Sequence, residues 1–181
     1  FDPTLFTIDP IYEGDYGFAF DIGTTTIAGY LYGRQSSLPL AAVGALNAQQ
    51  RYGADVLSRI SYASAHSFRE LTDTLLTQLA GMMNTLCNQA RISLDEVSAA
   101  VITGNTTMLY LLTGTSPEEL GRAPFQMKRS FDEWTTLAIA GFSDRKIYLP
   151  PCVSAYVGAD VVCGILASGM LWRTGTTMLA D

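Results

Sequence analysis

The hexapeptide Asp21-Ile22-Gly23-Thr24-Thr25-Thr26 holds a carboxylate, a glycine and three hydroxyls directly after a short aromatic run that begins at Tyr16. An aspartate at the end of a buried strand aims its carboxylate into the turn that follows. Gly23 permits a tight turn and close approach to the backbone. The N–H groups and hydroxyls of Thr24, Thr25 and Thr26 can then cradle phosphate oxygens. Asp21 beside them suits Mg²⁺, which takes one or two carboxylates, keeps several waters and accompanies phosphates. The competing reading is a plain hairpin with a solvated aspartate. A second polar turn, Gly104-Asn105-Thr106-Thr107, follows the apolar run Ala99 to Thr103 and opens a helix. That position suits hydrogen bonding to an anion or a nearby water, or a simple Asn N-cap. Asp160 stands early in a small-residue helix, either facing a cleft or complementing the helix dipole. Arg51 and Asp55 flank a helix start. They line a nucleotide cleft or partner face, or they form a capped, solvated helix end with Arg59 on its surface.

Composition narrows the classes. Hydrophobic residues make up 48% and charged residues 15% of 181 residues, which excludes a disordered chain. The formal net charge of −6 and the lack of a basic stripe argue against nucleic acid and against an anionic membrane surface. Three cysteines, Cys87, Cys152 and Cys163, with no CxxC pair, exclude a disulfide framework and a four-thiolate cluster within this chain. A Ser-His-Asp triad would hang on His66, the single histidine, with no G-x-S-x-G elbow beside it. No apolar run is long enough to span a bilayer and no signal peptide opens the chain, so the expected compartment is the cytoplasm. A first residue other than Met and a strand-like end at Asp181 read as an excised fragment.

The elements that must position these residues follow from periodicity. Residues 1–15, with two prolines and four acidic residues, read as a linker or extended arm ahead of a domain over 16–181. Strands are expected over 16–21, 27–32 and 38–46, joined by short turns as an antiparallel meander. Helices are expected over 54–65, with Val56, Leu57 and Ile60 on one face, and over 68–90, where Leu71, Leu75, Leu79, Met82, Met83 and Leu86 form one stripe. The two methionines there read as core filling. Ser93 and Glu96 form a capping box. A strand over 99–103, a helix over 108–112, a short helix near Pro117, an irregular stretch over 122–146, a strand over 147–149, a helix over 154–170 and a last strand over 176–180 complete the order. The segment Thr177 to Asp181 echoes Gly17 to Asp21, and predicts a second strand–turn unit starting there. Three antiparallel strands followed by alternating helices and strands is the ribonuclease H-like order, an α/β class.

Asp21 to Thr26 resembles the first phosphate loop of the superfamily of acetate and sugar kinases, heat-shock chaperones and actin. Within it, the chain resembles the ATP-dependent reductive activators of corrinoid proteins. The resemblance is carried by Asp21 to Thr26, Ala45-Leu-Asn47 with Arg51 to Ile60, Gly104 to Met108, Ala123-Pro-Phe125 and Pro150 to Asp160, which together span nearly the whole chain. It implies one ribonuclease H-like lobe of an actin-like ATPase. Asp21 would be the Mg²⁺ and catalytic residue. Gly23, Thr24, Thr25, Thr26, Gly104, Asn105, Thr106, Asp160 and Asp181 would line the nucleotide. It further implies ATP and Mg²⁺ in the full-length protein, a [2Fe–2S] module outside this chain, and no cofactor held tightly by the fragment alone. The partners implied are a corrinoid protein, returned from Co(II) to Co(I) for methyl transfer, the rest of its own chain, and a possible second copy as a homodimer. Two alternatives stand beside it: a lobe of a small-molecule kinase, for which Asp55 and Asp160 are the candidate bases, and a non-catalytic partner-binding module of the same fold.

Overall fold

The computed structural model describes residues 15–172 and 174–179. Six strands, β1 (Tyr16–Ile22), β2 (Thr26–Gly33), β3 (Ala41–Leu46), β4 (Val97–Gly104), β5 (Glu133–Thr135) and β6 (Lys146–Leu149), form one sheet in the order β3-β2-β1-β4-β6-β5. β1 and β2 pair antiparallel, as do β2 and β3. β4 joins β1 in parallel, β6 joins β4 in parallel, and β5 closes the far edge antiparallel to β6. Among the described residues, four α-helices accompany the sheet: α1 (Val56–Ala65), α2 (Phe68–Ala90), α3 (Thr106–Leu112) and α4 (Ala159–Ala167). None of the described helices is long and apolar enough to cross a membrane.

Side-chain alternation decides which face of the sheet is the core. Along β1, Phe18, Phe20 and Ile22 are buried while Asp21 is exposed on the opposite face, as a period of two requires. Ile27 and Leu31 of β2 join the buried set. Over it lies α2, whose stripe of Leu71, Leu75, Leu79, Met82, Met83 and Leu86 is buried. Each such side chain contributes about 1.5–3 kcal/mol on burial, so this stripe, rather than helix propensity, holds α2 in place. Ser67 caps its start, accepting from the Arg69 N–H, and Arg91 ends it in the left-handed region. All seven residues of α3 are buried. α4 packs against β4, with Cys163 facing Thr103, which shares its sheet face with Asp21.

Several expectations need correction. β3 starts at Ala41, not Leu38; Leu38 and Leu40 are exposed on either side of Pro39. In α1, Leu57 is 59% exposed although Val56 and Ile60 turn inward. The stretch read as irregular contains β5, three residues paired to β6. The helix expected over 154–170 is only α4. Before it, Ser154 and Val157 bridge in a turn, and Gly158 is extended at the N-cap. Residues 176–179 form no strand. Ala180, Asp181 and residues 1–14 of the expected linker lie outside the described residues. The capping box stands as expected: the Ser93 N–H donates to Glu96 Oε2 at 2.7 Å ahead of a single 3-10 turn.

Candidate functional site

The turn between β1 and β2 is held by bonds to its carbonyl groups. Within the turn, the Gly23 N–H donates to the Thr26 carbonyl at 2.9 Å. Asn47 Nδ2 donates to the Gly23 carbonyl at 2.9 Å. Arg59 Nη2 donates to the Thr24 carbonyl at 2.6 Å. The Thr25 carbonyl accepts from the Asn47 N–H at 2.8 Å and from Gln50 Nε2 at 3.1 Å. All four carbonyls therefore end on protein donors. A trans peptide points its N–H opposite to its C=O. Locking the Gly23 and Thr24 carbonyls inward thus turns the N–H groups of Thr24 and Thr25 the other way. Thr25 and Thr26 are exposed, and Thr24 and Gly23 half-buried. A short run of outward amides and hydroxyls is a donor set suited to an anion.

Gly23 is required for a reason internal to this turn. A Cβ there would lie 2.7 Å from the Thr26 carbonyl oxygen, so a larger side chain breaks the hairpin before it meets any ligand.

Asp21 stands one residue before the end of β1, exposed, in register with Ala28 and Thr103. Asp160 is half-buried in the first turn of α4, its Oδ1 accepting from the Val161 N–H at 2.9 Å. The Cys163 thiol lies within the fields of both acids. Burial pushes its pKa up, the Thr103 hydroxyl opposes that, and the fields of Asp21 and Asp160 both add to it. Asp21 and Asp160 thus flank one end of the sheet on the α4 face. The buried Thr103 hydroxyl oxygen has no hydrogen-bond partner. Among the described residues no group of three or more His, Cys, Asp and Glu could hold a metal ion. A cation arriving with phosphates needs only one or two carboxylates.

Gly104, Asn105 and Thr106 form the wall beside the turn. A Cβ at Gly104 would lie 2.6 Å from the Ile22 carbonyl oxygen, so glycine is what allows β4 this close to β1. Asn105 uses both ends of its amide: Oδ1 caps α3 by accepting from the Met108 N–H at 3.0 Å, and Nδ2 donates to Thr24 Oγ1 at 3.1 Å. Thr106 is fully buried, and its hydroxyl donates to the Ser154 carbonyl at 2.6 Å, joining α3 to the segment before α4. Gly158 completes that junction: a Cβ there would fall 2.5 Å from Asn105 Cα and 2.8 Å from the Thr106 nitrogen. Asp181 lies outside the described residues.

Sequence reasoning missed the residues that hold the turn from below. Asn47 and Gln49 sit in what reads as a polar connection, yet they are 1% and 0% exposed. Arg59, placed on the surface by the reading of a solvated helix end, is completely buried. Asp55 caps α1 through the Ser58 N–H at 2.8 Å, and Arg51 bonds Thr74 of α2 at 2.7 Å. Neither touches the turn. The available signal was positional: Asn47 and Arg59 fall within the stretches that carry the family resemblance.

The RACo middle region family model matches residues 16–173. A corrinoid activation enzyme, RamQ, of Eubacterium limosum is 39% identical over 112 residues, covering 61% of this chain and 19% of that protein. A solved reductive activator for corrinoid, iron–sulfur protein superposes with a TM-score of 0.84 at 29% identity, over 90% of this chain and 27% of that one. The chain therefore matches only 19% and 27% of the length of these relatives. With the family model covering most of its length, the chain belongs to the RACo middle region family.

Proposed function

We propose that residues 16–181 form a ribonuclease H-like ATPase lobe of a reductive activator, which uses ATP to return a corrinoid protein from Co(II) to Co(I). The observation that carries this reading is the turn beside Asp21 whose four carbonyls all end on protein donors. The names of the two relatives supply the corrinoid partner. The strand order, with β2 antiparallel between β1 and β3 and with β4 and β6 parallel to β1, supports the ribonuclease H-like assignment.

The roles follow from placement. The outward N–H groups of Thr24 and Thr25 and the hydroxyls of Thr24 to Thr26 bind phosphate oxygens. Gly23 keeps the turn tight. Asp21 alone would repel a polyphosphate. Asp21 would hold Mg²⁺, which would supply positive charge to offset the phosphates. Asp160, across the Cys163 thiol, orients water on the same side. Gly104, Asn105 and Thr106 fix the wall. The electron source is an iron–sulfur module outside this chain, and nucleotide binding favours the conformation that engages the corrinoid partner.

The test is reduction of a corrinoid protein by the whole protein, followed by visible absorption, with and without MgATP. Accumulation of Co(I) only with ATP is expected. Equal rates without nucleotide would contradict the reading.

A further inference from the structure

Arg59 is the one charged side chain that is fully buried among the described residues. Buried charges in proteins are ordinarily paired with an opposite charge. Here the guanidinium meets only neutral acceptors. Nε donates to the Gly53 carbonyl at 3.0 Å, and Nη2 to the Thr24 carbonyl at 2.6 Å. Nη1 lies 3.3 Å from both Gln49 Oε1 and Met108 Sδ. The acid whose field reaches it is Asp55, one turn earlier, an exposed side chain already capping α1. Burial lowers the Arg59 pKa, yet arginine keeps its proton at any physiological pH. The charge therefore stays in place, incompletely balanced, directly beneath the turn.

Its shortest bond has a direction. The Thr24 carbonyl and the Thr25 N–H are two ends of one peptide. A charge-assisted bond at the carbonyl end polarises that peptide and strengthens the donor at the other end. The guanidinium is itself fixed. Gln49, which accepts from it, is buried and donates to the Leu71 carbonyl of α2 at 2.9 Å, and Gly53 closes on the start of α1.

We propose that Arg59 is the positioning residue of the phosphate turn: it locks the Thr24–Thr25 peptide with its amide outward, and its unbalanced positive charge makes the turn selective for a polyphosphate ligand. The inference rests on the nucleotide reading above and assigns to Arg59 the part of affinity that depends on phosphate. A purely structural arginine would affect all ligands alike.

The experiment is calorimetric binding of ATP and of adenosine, each with Mg²⁺, to the whole protein and to its Arg59→Met and Arg59→Lys variants, with thermal melting to confirm folding. Arg59→Met should weaken ATP about ten- to hundredfold, the range of a lost charge-assisted bond, and leave adenosine within about twofold, below the energy of any single bond. Arg59→Lys, which keeps the charge but not the fork, should fall between. If Arg59→Met fails to fold, the ATP-to-adenosine ratio of Arg59→Lys decides. A folded variant with the wild-type ratio overturns the role of Arg59 alone. A wild-type protein that binds no ATP overturns the nucleotide reading with it.

Discussion

The turn after β1 and the turn after β4 meet at one end of the sheet, where Ile22 pairs with Gly104 and Asn105 donates to Thr24. They keep their shapes by opposite means. The second turn is local: Asn105 caps Met108 three residues on, and its carbonyl accepts from the Leu109 N–H. The first has a single bond of its own, Gly23 to Thr26. Its other carbonyl partners, Asn47, Gln50 and Arg59, come from residues more than twenty positions away. A turn held mostly from outside leaves its Thr24 and Thr25 amides unpaired with its own carbonyls, which is what binding an anion demands. A turn held by its own cap consumes its donors in starting a helix.

Three substitutions probe this difference. The largest loss is expected for Asn47→Ala. It removes the bonds of the buried Asn47 side chain to the Gly23 carbonyl and the Gln49 N–H. Leaving these groups unsatisfied should cost about 2–4 kcal/mol in urea unfolding and abolish ATP dependence. Asn105→Ala should cost less, about 1–2 kcal/mol for the lost cap, with a smaller effect on ATP affinity through Thr24. Equal effects on ATP affinity from Asn47→Ala and Asn105→Ala would remove the distinction between the two turns.

The smallest effect belongs to Asp55→Ala, which removes the local cap of α1, bonded to neither turn. The backbone N–H and then the hydroxyl of Ser58 hold the Asp55 pKa below the ordinary carboxylate value. A lowered folded pKa means that the carboxylate stabilises fully above its unfolded pKa and that this is lost as pH falls through the folded one. The stability gap between wild type and Asp55→Ala should therefore be constant near neutrality and narrow in acid. A gap independent of pH would contradict the charged cap.

The same division explains what the sequence revealed. α2, with its stripe of leucines and methionines, and the Ser93–Glu96 box are written in spacings of three and four residues, and both stand where expected. Asn105 announced its helix for the same reason. Arg59 did not, because a charge is buried only where distant acceptors converge on it. In α1 the apolar Leu57 faces solvent while Arg59 does not, the reverse of what local hydropathy suggests. β5 was missed since three residues carry no period, and only pairing with Tyr148 and its neighbours defines it. Gly158, extended before α4, shortened a helix that its small residues made look continuous.

The most direct test of the account lies at Asp21. Asn is nearly isosteric, so Asp21→Asn in the whole protein should melt like wild type while losing one negative charge beside the proposed cation. MgATP-dependent corrinoid reduction should fall by about 3–4 kcal/mol in the transition state, on the order of 10²–10³ in rate, and ATP affinity should lose its dependence on Mg²⁺. A well-folded Asp21→Asn protein with the wild-type rate and an unchanged Mg²⁺ dependence would contradict the assignment of this turn as the phosphate site.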